Sequence, residues 1–220
     1  MMKIKDLDLE VICVNYRTPD LTERMIKSIR LFNKEIPIRI IDGSGIDWSN
    51  QNCHLRSIMK EQNFGMALFN HNIHHGPGMD WGIKSSEKEW VLTIDSDQYL
   101  IEDVFEYEIP EDKSFIGQYC IVDKDGFGDE KKKVDSRYNI LYPHPRFCLI
   151  KVSEYKKYTP FILHGAPCIS TWTEVNLKNK ESIHLIDFIG KGYVSDGGKG
   201  TLDRWGWGVN GWQKIPEFQD

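Results

Sequence analysis

Cysteine is scarce in this chain, and the five present are odd in number and form no C-x-x-C pair. Cys13, Cys53, Cys120, Cys148 and Cys168 are widely spaced, so neither a disulfide framework nor a Cys-rich zinc site is expected. Most read as small apolar core residues. Long hydrophobic runs are also missing, and no segment approaches the ~20 apolar residues that span a bilayer. Met1 to Glu10 is charged and lacks the apolar centre of a secretory leader. A chain of the reducing cytoplasm is expected. Charge of one sign is lacking too. The 28 basic and 33 acidic residues leave a net charge of -5, which argues against a broad nucleic-acid surface. The one basic run, Lys131 to Lys133, follows Asp129-Glu130 and reads as a solvated loop. Internal repeats and low-complexity linkers are absent, and 220 residues suit a single domain with a sizeable core.

What is present is sharpest at residues 90 to 97. Trp90, Val91, Leu92 and Ile94 form an apolar run interrupted only by Thr93. That is the pattern of a strand buried on both faces of a parallel sheet. The run stops at Asp95-Ser96-Asp97. Open α/β sheets bind ligands beyond the carboxyl ends of their strands, and two carboxylates there can share a hard divalent cation. The competing reading makes both acids caps of the next turn.

The rest of the first half fits that frame. Leu9 to Val14 reads as a strand leading into Asn15-Tyr16-Arg17. Thr18 is a candidate N-cap with Pro19 at the first helical position, and Leu21, Met25, Ile26, Ile29 and Phe32 recur at helical spacing. Ile36 to Ile41 is a second strand, ending in Asp42-Gly43-Ser44. A right-handed parallel β-α-β unit follows from this order. Residues 54 to 60 suggest a third, weaker strand, and Gly65 to Ser86 looks helical at both ends. Beyond residue 100, Phe115 to Val122, Tyr142 to Val152 and Ser182 to Ile186 read as strands and Ser170 to Lys178 as a helix. The intervening GFGDEKKK reads as a hairpin or loop.

In this order and spacing, four features resemble the GT-A nucleotide-sugar glycosyltransferases, closest to the family 2 type, over roughly residues 9 to 190. They are the strand followed by Asn15-Tyr16-Arg17, the Asp42-Gly43-Ser44 turn, the stretch Gly76-Pro77-Gly78-Met79-Asp80-Trp81-Gly82, and Asp95-Ser96-Asp97. The resemblance implies an α/β fold, a Rossmann-like three-layer α/β/α sandwich with a mostly parallel central sheet. It implies one GT-A domain, with residues 1–100 as the nucleotide-binding half and 101–220 as the acceptor-binding half. The implied activity is metal-dependent transfer of a hexose from a nucleotide sugar, a UDP-sugar, to a saccharide or other hydroxyl acceptor, with inversion. Mn2+ or Mg2+ would be the cofactor.

The same resemblance gives residues their roles. Asp97 would ligate the metal directly, Asp95 would reach the ribose or the metal through water, and His184 would add a further ligand. Asn15 would open the nucleotide site, Tyr16 would stack on the base, Arg17 would pair with a phosphate, Asp42 would accept from base or ribose, and Asp80 would lie by the sugar pocket. An inverting enzyme needs a carboxylate to take the acceptor's proton. The acidic pair that relatives place in the second half is not evident here, so Glu174 and Asp187 are the candidates, with Asp203 an outsider. His144, Arg146 and His164 are read as acceptor contacts or ordinary loop residues. His71, His74 and His75 are read as a helix terminus rather than a metal site. The Gly- and Trp-rich stretch from Gly190 to Trp212 is read as a lid over the donor or a wrapping tail.

Two other functions stay open. A sugar nucleotidyltransferase would need an early Gly-rich phosphate loop, which Leu9 to Asp20 does not offer. A non-catalytic sugar-binding module would keep the pocket without a base.

Overall fold

The computed structural model describes residues 1–45, 53–122, 140–162 and 168–195. The GFGDEKKK segment, His164, Asp203 and most of the Gly/Trp-rich stretch lie outside them.

A short strand β1 (Met2–Lys3) precedes β2 (Leu9–Asn15), in which every residue but Glu10 is buried. Then come α1 (Pro19–Phe32), β3 (Ile38–Asp42), α2 (Cys53–Gln62), β4 (Gly65–Leu68), α3 (His75–Lys84) and β5 (Trp90–Ile94). The second half supplies β6 (Glu108–Ile109), β7 (Phe115–Gln118), β8 (Ile121–Val122), β9 (Ile140–Leu141), β10 (His144–Lys151), α4 (Val152–Tyr155), α5 (Ile169–Lys178) and β11 (Ile183–Ile186).

Seven strands form the central sheet in the order β11-β7-β10-β5-β2-β3-β4. Strand β10 runs antiparallel to both its neighbours, β5 and β7, while the other pairings are parallel. The sheet is therefore mixed. The β2-α1-β3 crossover is parallel, as the sequence pattern requires. Strand β5 is buried at all five positions, because helices cover both faces. One core joins Val11, Cys13, Ile40 and Leu92 to Met25, Ile26 and Ile29 of α1 and Leu55 of α2. The other joins Ile12, Ile41 and Val91 to Met79 and Ile83 of α3 and Trp172 and Val175 of α5. The alternation along each strand divides its side chains between these two cores.

Two expectations are corrected. Residues 54 to 60 are not a strand but lie in α2, where Leu55, Ile58 and Met59 follow helical spacing and pack against the first core. Gly65 opens strand β4 rather than a helix. Thr18 stands at the N-cap of α1 with Pro19 next, as expected, but its hydroxyl bonds Asn15 and Ser96 rather than capping the helix. No helix among the described residues is long and apolar enough to cross a membrane.

Candidate active site

Six of the seven strands end at one edge of the sheet, and the reversed strand β10 begins there. That edge gathers the ends of β2, β3, β5, β7 and β11 with the start of β10.

At its centre the turns after β2, β3 and β5 are knitted by buried polar groups. Asn15 is fully buried, and its Nδ2 donates to Asp42 Oδ1 at 3.0 Å and Ser44 Oγ at 3.4 Å. Its Oδ1 accepts from Thr18 N (3.3 Å), Thr18 Oγ1 (3.0 Å) and Thr22 Oγ1 (2.9 Å). Asp42 Oδ1 also accepts from Ser44 N at 3.2 Å and from Ser44 Oγ. Thr18 Oγ1 reaches Ser96 Oγ at 3.1 Å, tying the acidic turn to the first loop. Asn15 is thus a hub that orders the loops and has no surface to offer a ligand. Arg17 sits at φ 57, a left-handed conformation that is uncommon outside glycine. Its backbone N–H donates to Ser44 Oγ at 2.9 Å, which holds the bend. The Arg17 guanidinium lies 5.0 Å from the Tyr16 ring centre.

Asp97 is buried, and its backbone carbonyl accepts from Arg24 Nη2 at 3.3 Å. Asp95 is about a quarter exposed, and its Oδ1 faces His75 Nε2, the first residue of α3, at 3.3 Å. Burial opposes the charge on Asp95, yet His75, then His144 and Arg146, hold it below the usual carboxylate range. Burial likewise opposes the charge on His75, and Asp95 outweighs it and raises the imidazole above its ordinary value. His144 behaves oppositely. Burial, with Arg146 and His75 adding to it against Asp95, pushes His144 down to about 4. Its Nδ1 accepts from Arg146 N at 3.2 Å, so the neutral ring carries its proton on Nε2.

Further along the edge, Gln118 Nε2 donates to Asp187 Oδ1 at 3.0 Å and Gly190 N donates to the same oxygen at 2.9 Å. These bonds, with Arg146 nearby, keep Asp187 below the ordinary carboxylate range although it is exposed. Gly190 permits the turn, because a Cβ there would run into the Asp187 carboxylate.

Asp95, Asp97, Asn15, Tyr16, Arg17 and Asp42 therefore gather at the carboxyl ends of β2, β3 and β5, while Asp187 lies further along the same edge, after β11. Three other residues singled out in the sequence are not brought to the acids. His184 lies on β11, three strands from β5, a span of about 14 Å at ordinary strand spacing. Its charged neighbours are Lys113 and Asp112. Glu174 on α5 accepts from Thr159 N and Oγ1 at 2.7 and 2.8 Å and from Lys178 Nζ at 2.6 Å. Asp80 accepts from Tyr155 Oη at 2.7 Å and Lys84 Nζ at 2.9 Å, linking α3 to α4. His75 and His144, not singled out as part of the acidic site, do stand beside it.

Among the described residues no three His, Cys, Asp or Glu side chains are grouped to hold a metal on their own. Asp95 Oδ1 is nonetheless a buried oxygen whose contact with His75 Nε2 at 3.3 Å falls outside strict hydrogen-bond geometry. Two carboxylates with one such oxygen fit a cation brought in by a diphosphate, since Mg2+ is commonly bound through one or two carboxylates plus substrate phosphates.

No protein-family model and no curated protein match this chain. Its likeness is to solved structures. One is the mannosyltransferase PcManGT from Pyrobaculum calidifontis in complex with GDP-Man and Mn2+, at 10% identity and a TM-score of 0.58 over 88% of this chain and 61% of that one. Another is S. aureus TarS 1-349 in complex with UDP, at 16% identity and a TM-score of 0.56 over 86% and 60%. The chain thus spans about 60% of the length of these structures. The α/β fold with its mixed sheet is one that glycosyltransferases share.

Proposed function

We propose that this chain is a metal-dependent GT-A glycosyltransferase that moves a hexose from a UDP-sugar to a hydroxyl acceptor with inversion. The observation that carries this reading is the Asp95-Ser96-Asp97 turn at the carboxyl edge of a glycosyltransferase-like sheet, bonded through Ser96 and Thr18 to the Asn15–Asp42 hub. The two halves, 1–100 and 101–220, act as one domain, as the shared seven-stranded sheet supports.

In this reading the nucleoside lies over the β2 and β3 turns, against Tyr16 and Asp42. Arg17, fixed by its left-handed backbone, turns its planar fork to the diphosphate. Asp97 and Asp95 would hold Mn2+ or Mg2+, which would supply positive charge against the leaving diphosphate. Asp187 is the proton acceptor for the attacking hydroxyl. The bonds from Gln118 and Gly190 keep it ionised and aimed, and a base must be ionised to act.

The test is a thermal-shift screen of UDP, GDP, CDP and dTDP, each with and without Mn2+. A ligand that binds only the folded chain raises its melting temperature. A metal-dependent rise with UDP, absent in Asp97→Ala, is the expected result. No rise with any nucleotide from a folded sample overturns the reading.

A further inference from the structure

His75 reaches the acidic turn from a corner the backbone does not adopt readily. His74 sits at φ 63 and ψ 161, in a region occupied almost only by glycine. Its N–H donates to Asn72 Oδ1 at 2.9 Å, which pins the corner. Immediately after it, α3 begins with His75. Gly78 and Gly82 then seat the helix tightly on the sheet, where a Cβ would meet Val14, Ile12 and Ile41. The position of the His75 ring is therefore set by packing along the whole helix.

That ring faces Asp95 as an ion-pair partner. Nε2 stands 3.3 Å from Asp95 Oδ1, a contact outside strict hydrogen-bond geometry. Both side chains are about a quarter open to solvent. A ring nitrogen that faces a carboxylate carries a proton in either charge state, so His75 presents an N–H donor at the acids. Bonds of this kind are commonly long before a ligand arrives and tighten in its complex.

We propose that His75 is a donor-binding residue, offering its Nε2–H to the diphosphate of the nucleotide while the neighbouring Asp95 faces the cation. This rests on the donor-site reading above. It adds a contact to the diphosphate, distinct from the metal ligation expected of His184, which lies three strands from β5.

The experiment measures affinity, with Mn2+ present, for whichever of UDP, GDP, CDP and dTDP binds the full chain best, and for the matching nucleoside. His75→Phe keeps a ring and removes the N–H, and His75→Ala guards against a steric effect of the phenyl group. Loss of a hydrogen bond to a charged group predicts about tenfold or more weaker binding of the diphosphate, with the nucleoside unaffected. A general loosening of the site would weaken both ligands alike. Equal weakening of both ligands, or no weakening in either variant, overturns the assignment. If Asp97→Asn still abolishes metal-dependent binding in that case, the donor-site reading survives without His75. If the unaltered chain binds none of the four diphosphates, both fall together.

Discussion

Asn15 Nδ2 donates to Asp42 Oδ1 at 3.0 Å, with Asn15 fully buried and Asp42 nearly so. This bond joins the ends of neighbouring strands β2 and β3, while Asn15 Oδ1 accepts three more bonds from Thr18 and Thr22 at the start of α1. Truncation would strand several buried groups at once. Asn15→Ala is therefore expected to lose about 2–4 kcal/mol of stability. It should weaken nucleotide binding as well, since the Tyr16–Arg17 bend hangs on the same hub. Urea denaturation of the variant checks the first effect. A loss under 1 kcal/mol would show that the hub is dispensable.

Gly117 is required by packing rather than by backbone angle. A Cβ on this residue of β7 would lie 2.9 Å from Pro143 Cβ and 3.0–3.1 Å from Cys148. Those atoms sit close to the backbone of β10 and its approach, and they cannot swing aside as a long side chain would. Gly117→Ala should cost about 1–3 kcal/mol through overpacking and should disturb Gln118, the partner of Asp187. Thermal unfolding of the variant is the check, with an unchanged melting temperature counting against this packing.

Much of this was legible in the sequence, for local reasons. The apolar run at Trp90–Ile94 and the 3.6-residue spacing in α1 are signals carried by adjacent residues, and both elements form where expected. Residues 54 to 60 read as a strand because one fully buried residue, Leu55, leaves a faint helical stripe in α2. The site was less legible, because it depends on strand order. Nothing near His184 in sequence says that β7 and β10 intervene between it and β5. Asp80 finds Tyr155 75 residues away, and His75 meets Asp95 through a corner whose conformation its histidines do not advertise.

Glu174 provides a pH test that also bears on catalysis. Lys178 first, then Thr159 through its N–H and hydroxyl, hold its carboxyl down to about 2. A depressed folded value means the native state favours the ionised form. Its contribution to stability is full above the ordinary glutamate value of 4.5 and is lost as pH falls from there toward 2. Glu174→Gln should melt lower than the unaltered chain at neutral pH, with the gap closing as pH drops through that window. Transfer activity at neutral pH should be unchanged, since Glu174 is committed to Lys178 and Thr159. A large loss of activity with stability intact would return Glu174 to the list of candidate bases.

Asp97 and Asp187 are expected to fail in different ways, and the difference separates binding from chemistry. Asp97 is buried at the acidic turn, so Asp97→Asn keeps the shape and removes a ligand for the cation. Metal-dependent nucleotide binding should be lost and transfer with it. Asp187 is exposed beyond β11, where Gln118 and Gly190 aim one oxygen and leave the other free of their bonds. Asp187→Asn keeps similar hydrogen-bonding volume but cannot take a proton. Nucleotide affinity should be unchanged while transfer falls about 100-fold or more, the usual contribution of a positioned base. Titration with the nucleoside diphosphate and Mn2+, followed by single-turnover transfer, reads the two effects separately. Full activity in Asp187→Asn would remove it as the base. Loss of both nucleotide binding and transfer in that variant would place it in the donor site with Asp97.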